Sequence, residues 1–104
     1  MAEALLYQGD TPTTTTNVYS VPNGSKGVLT YIDINNTTAS PVLVTVYTAK
    51  SQTIFSASNI ILNVTVPGDG FIQWSGRHNM ASNMTIYAKA AASGVTITIN
   101  GEVA

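Results

Sequence analysis

Cysteine is absent from these 104 residues. Disulfides, thiolate metal centres and a cysteine nucleophile are thereby excluded together, and so is a disulfide-framed secreted scaffold. Charge is nearly as scarce, with four Lys or Arg against five Asp or Glu and a formal net charge of −1. Nucleic-acid binding needs a basic stripe that displaces counterions, and four scattered cations do not form one. Disorder needs high charge and low apolar content, whereas 44% of this chain is hydrophobic and 9% charged. No apolar run approaches the ~20 residues of a membrane-spanning helix. Met1-Ala2-Glu3 opens with an acid, and Ala4-Leu5-Leu6 is too short for the apolar core of a signal peptide. The expectation is synthesis in a cytoplasm, with no membrane and no nucleic acid as partner. A surface this close to neutral repels its own copies weakly, which favours a protein that works packed against others. The other reading is a monomer kept soluble by Thr, Ser and Asn.

What the chain does have is alternation. Val28 to Asn35 places Val28, Thr30, Ile32 and Ile34 on one face and Leu29, Tyr31, Asp33 and Asn35 on the other. The polar run Asn36 to Pro41 and a second alternating segment, Val42 to Tyr47, predict two half-buried strands joined as a hairpin. Before them, Val18 to Val21 reads as a short strand and Asn23-Gly24 as a turn. Ile54-Phe55 opens a less regular passage through Ser58. Ile60, Leu62, Val64 and Val66 share a face of the next strand, and Pro67-Gly68-Asp69-Gly70 reverses the chain. Ile72 and Trp74 share a face, Gly76 to Asn83 reads as a polar connection, and Met84, Ile86, Ala88 and Ala90 alternate after it. Val95 to Asn100 is the cleanest alternation. Seven or eight short strands without a helical period predict an all-β protein. The expected form is a single antiparallel β-sandwich, jelly-roll-like, with an extended N-terminal arm.

The arm is residues 1–17 and the sandwich residues 18–104. Ala4-Leu5-Leu6-Tyr7 leads into a Thr-rich stretch containing Pro12. It reads either as an extended connector or as an arm that adds a strand to a neighbouring subunit. The second reading makes Leu5, Leu6 and Tyr7 interface candidates.

Titratable groups are too few and too dispersed to suggest catalysis. His78, the one histidine, follows Ser75 by three positions, but no motif frames the pair. Loop solvation or a subunit contact is the expectation for it. Glu3, Asp10, Asp33, Asp69 and Glu102 are scattered, and Asp69 has the setting of a turn residue. Gly24, Gly27, Gly68 and Gly70 punctuate turns rather than forming a phosphate loop. The chain is therefore expected to be no enzyme and to carry no cofactor and no metal. Trp74 could stack on a sugar, though a lone Trp alternating with Ile72 is more often a core or interface anchor. Tyr31 and Tyr87, on the polar faces of their strands, suit subunit interfaces.

Tyr19-Ser20-Val21-Pro22-Asn23-Gly24, continuing through the Asn-Thr turn to Val46, resembles small virion proteins of tailed bacteriophages. Val66-Pro67-Gly68-Asp69-Gly70 and the closing Ser93 to Val103 are similar to a turn and a last strand of the same proteins. The similarity departs at Gly76 to Asn83, where those proteins more often carry another Gly-Asp turn. The resemblance implies a structural role on the virion, as a capsid decoration (cement) protein. Its partners would be copies of itself, in a trimer or other ring, and a major capsid or other virion protein. The alternatives are a neck or tail component, or a carbohydrate- or receptor-binding module of a fibre.

Overall fold

The alternation becomes eight strands in the computed structural model, which describes residues 3–50 and 59–104. They are β1 (Glu3–Asp10), β2 (Thr16–Ser20), β3 (Gly27–Asn36), β4 (Val42–Ala49), β5 (Ile60–Val66), β6 (Phe71–Met80), β7 (Thr85–Ala90) and β8 (Val95–Val103). All pairings are antiparallel, and they form two four-stranded sheets. Sheet A runs β1-β8-β3-β6 and sheet B runs β2-β7-β4-β5. The Ile54-Phe55 passage lies outside the described residues.

The core is the set of inward positions on both sheets. Ile32, Ile34, Ile97 and Ile99 of sheet A are at most 1% exposed and meet Val44, Val46, Ile86, Ala88 and Ala90 of sheet B, all 0% exposed. Bulky isoleucines on one sheet opposite alanines on the other let the two faces interdigitate. Each buried Val or Ile contributes about 1.5–3 kcal/mol relative to exposure.

The strand order corrects the expected hairpin. β3 belongs to sheet A and β4 to sheet B, so Asn36 to Pro41 carries the chain across the core. Within a sheet, sequence neighbours lie side by side only at β4 and β5. A polar turn between two alternating segments serves a hairpin and a crossing equally well, so period and turn chemistry could not separate them.

Bulges correct the phase of three strands. Thr30 is an extra residue of β3 opposite β8, so Leu29 and Ile32 both point inward while Thr30 and Tyr31 face out. On β5 the register shift at Ile61 leaves Leu62, Val64 and Val66 inward and turns Ile60 outward beside Tyr47. On β6 a shift between Ser75 and His78 continues the strand to Met80, through residues expected to be a connection. β1 is also bulged, between Leu5 and Tyr7, and β2 begins at Thr16. The bulges of β1, β3 and β6 lie close together across sheet A, within the span of Ile99 to Gly101 on β8. Neighbouring bulges of this kind bend a sheet.

One end of the sandwich is closed by a hydrogen-bonded knot around Asn36, which is 2% exposed. Its Nδ2 donates to Ser40 O (2.8 Å) and Val66 O (3.1 Å), and its Oδ1 accepts from Thr38 N (2.9 Å) and Thr38 Oγ1 (2.7 Å). Two amide donors and two acceptor lone pairs are all engaged, which is the full capacity of the side chain. Thr37 N and Oγ1 both donate to Gly94 O, and Asp69 N donates to Thr38 O. Asn36 N bonds Gly70 O, so the β3–β4, β5–β6 and β7–β8 connections are tied together. The β5–β6 turn itself closes through Gly70 N to Pro67 O, with Asp69 at φ 53. The β2–β3 turn closes through Ser25 N to Pro22 O, with Gly24 at φ 83, the sign a type II turn requires there.

Candidate functional site

Cross-strand partners share a face, so the register assigns each outward side chain to a surface. The outer face of sheet A carries the row Leu5, Asn100, Tyr31 and Ser75, then Gln8, Thr98, Asp33 and Gln73, then Asp10, Thr96, Asn35 and Phe71. Phe71 is 63% and Leu5 57% exposed, the two most exposed large apolar side chains among the described residues. Four of the five acids, Glu3, Asp10, Asp33 and Glu102, fall on this face. Glu3 and Glu102 stand directly opposite each other. That like-charge pairing is relieved locally: Thr30 Oγ1 donates to Glu3 Oε1 (3.1 Å), and Arg77 reaches over β3 to Glu102 (3.4 Å). Arg77 is largely exposed, so the ion pair contributes at most about 1 kcal/mol.

The outer face of sheet B differs in kind. Its four strands hold one charged residue, Lys89. Tyr47 sits between Tyr87 on β7 and Ile60 on β5, giving an aromatic and aliphatic row across the sheet. Thr45 Oγ1 donates to Asn63 Oδ1 (2.9 Å) beside it. A shallow cleft of about 300 Å³ opens here, lined by Leu43, Thr45, Tyr47, Ile60, Asn63, Lys89 and Ala91. Leu43 is 45% exposed and forms one wall. No carboxylate among the described residues lines the cleft. A second groove of about 650 Å³ lies at the end of the sandwich away from the knot, with Val28, Met80, Met84, Lys26 and Lys50 among its lining residues.

The six contact candidates divide between surface and interior. Leu5 and Tyr31 lie on the outer face of sheet A, and Tyr87 lies on that of sheet B. Leu6, Tyr7 and Trp74 pack partly buried against the core. Tyr7 also donates its hydroxyl to Asp10 O (2.9 Å), which braces the end of β1. Leu43, Phe71 and Lys89 were not singled out by sequence reasoning. Each falls on the outward phase of its alternation, but its exposure and the neighbours it borders follow from the strand pairing.

His78 faces inward, opposite Leu29, and its Nε2 lies 2.9 Å from Thr48 Oγ1 on sheet B. The imidazole thus joins the two sheets rather than solvating a loop. Burial pushes it below its ordinary pKa of 6.5. The folded state therefore holds the neutral ring, and the unfolded chain takes up the proton first as pH falls. Stability is complete above pH 6.5 and declines as pH drops through that value towards the lower folded pKa. With one histidine and no cysteine in the chain, no other side chain has an ordinary pKa in the range from about pH 7.5 to 5.5. Melting temperature should fall over that range in the wild type and stay flat in His78→Gln. An equal slope in both would contradict the assignment.

Among the described residues no group of three His, Cys, Asp or Glu could hold a metal ion, and no helix is long and apolar enough to cross a membrane. No family model and no curated protein matches the chain. Among solved structures it is similar to a pentameric capsid protein isolated from metagenomic phage sequences, with 16% identity and a TM-score of 0.45. The match covers 91% of this chain but 58% of that one, so the chain spans little more than half the length of its structural neighbour.

Proposed function

We propose that this chain is a structural component of a bacteriophage particle, specifically a capsid decoration protein that stabilises the shell by adhesion. The observation that carries the proposal is a convergence at the Asn36 knot. The three stretches that resemble phage virion proteins, Tyr19 to Val46, Val66 to Gly70 and Ser93 to Val103, are far apart in sequence. In the fold they supply Asn36, Val66, Asp69, Gly70 and Gly94, which hydrogen-bond into one unit. The stretches that carry the resemblance thus meet at one end of the sandwich.

Adhesion suits the two broad faces, which offer Leu5, Tyr31 and Phe71 on one side and Leu43, Tyr47 and Tyr87 on the other. Copies associate as a trimer or other ring, and the assembly seats on a major capsid protein in the virion. Residues 1–17 are the segment that an exchange between copies moves, because β1 forms the edge of sheet A and is joined to β2 by a Thr-rich link. A neck or tail component is the same adhesive role at another place on the particle. Purified protein added to particles that lack it should bind and raise the temperature at which they release DNA. Absence of binding contradicts the decoration role.

One observation favours a second reading, a carbohydrate-binding module of a fibre. The sheet B cleft combines Tyr47 with the hydrogen-bonding groups of Asn63 and Lys89. Trp74 packs against the core and leaves that role to the cleft. A glycan array on which the wild type binds and Tyr47→Ala does not would support this reading. A blank array removes it.

A further inference from the structure

The two outer faces are unlike each other and complementary, and this deepens the adhesive reading by naming the surfaces involved. Sheet A presents four carboxylates, with Arg77 already engaged by Glu102. Sheet B presents Lys89 alone, in a cleft with apolar and tyrosine walls. Next to the acid face, the β5–β6 turn offers a carboxylate and an exposed phenyl two residues apart, Asp69 and Phe71. Their positions are fixed by the knot: Asp69 N bonds Thr38 O (2.8 Å), and Gly70 N and O bond Pro67 O (3.1 Å) and Asn36 N (2.9 Å). These bonds fix the backbone that carries Phe71, so seating the ring orders only its own two side-chain torsions, a low cost for an aromatic interface anchor.

We infer that Phe71 of one copy seats in the Leu43–Tyr47–Ile60 cleft of a second copy, with Lys89 of that copy against the Asp69 carboxylate. The occupant is another copy because the cleft carries a positive charge with no carboxylate beside it among the described residues, and the sheet A side carries the negative charge and the apolar knob. Knob and cleft lie on opposite faces of the same molecule, so the contact is heterologous. Such a contact repeats from copy to copy and closes into a ring when the rotation allows. Lys89 supplies orientation and rate of encounter, while Phe71 supplies most of the affinity.

The test uses the full chain in sedimentation velocity over a range of concentrations, with no particle present. Phe71→Ser removes the knob and leaves the cleft, whereas Lys89→Glu spoils the cleft and leaves the knob. Both positions are exposed, so melting curves of the variants should match the wild type. The wild type should self-associate, and each variant should weaken this by at least ~10-fold. An equal mixture of the two variants retains one intact knob and one intact cleft, and should form a 1:1 heterodimer that grows no further. A monomeric wild type, variants that assemble like the wild type, or a mixture that stays monomeric would each overturn the assignment. If self-association behaves as described but the protein binds no particle, the particle role fails and this contact stands.

Discussion

Asn36→Ala should lower stability by about 4 kcal/mol, among the largest effects of any single substitution in the chain. The side chain is buried and makes four hydrogen bonds, to Ser40 O, Val66 O, Thr38 N and Thr38 Oγ1. A buried polar group stripped of its partner costs about 1–3 kcal/mol, and truncation at Cβ strips several at once. Thr38 Oγ1 keeps a second acceptor in Ser40 O (2.9 Å), which limits the loss at that atom. For a domain of this size the change corresponds to a melting temperature lower by roughly 15 °C or more. Asn36→Asp is the sharper variant. It keeps the acceptor that Thr38 uses but turns the donor amide into an oxygen facing two carbonyls, so it should destabilise at least as much as alanine. Either variant melting within a few degrees of the wild type would contradict the knot.

Gly101→Val is the second large effect, expected at about 3 kcal/mol. Gly101 lies on β8 within sheet A, paired with Ala4 on one side and Leu29 on the other. A Cβ there would overlap the carbonyl oxygen of Val28 and come within 2.9 Å of Leu6 Cδ1. Leu6 can shift, but the Val28 carbonyl belongs to a strand paired on both sides and can yield only if the bulges move. Overpacking of this kind costs about 1–3 kcal/mol, with valine at the upper end. Gly24→Ala is the control. Its Cβ would meet nothing within 4 Å, and the positive φ of 83 alone should cost about 1 kcal/mol. Equal melting temperatures for the two variants would show that close approach at Gly101 does not matter.

These two residues also mark where sequence reasoning succeeds and where it stops. β8 was legible because Val95, Ile97 and Ile99 alternate without a bulge and are all buried. Ile72 and Trp74 were rightly placed on one face for the same reason. β3 was misphased because Thr30 adds a residue that no local signal announces, so Leu29 changes sides. The extension of β6 through Gly76 to Met80 was missed because an edge strand tolerates a run as polar as Gly-Arg-His-Asn. Asn36 looked like any turn residue, since its distant partner Val66 lies 30 positions away. Tyr31 and Tyr87 read as outward from the alternation of their strands, whereas Leu5 stands out from an apolar patch that reads as an exchanging arm. The cleft that joins Leu43, Tyr47 and Ile60 depends on β4–β5 pairing and the Ile61 bulge, which are properties of the fold.

The electrostatic asymmetry has the same origin. A net charge of −1 suggests a bland surface, yet the register collects four acids on sheet A and leaves Lys89 alone on sheet B. Near-neutrality overall, with opposite signs on opposite faces, favours ordered contact between unlike surfaces over repulsion.

A cryo-EM reconstruction of phage particles bearing this protein tests the adhesive role most directly. The account predicts a symmetric set of sandwiches on the particle, each with Phe71 covered by the Lys89 face of its neighbour. Copies whose two faces are both bare to solvent would contradict it.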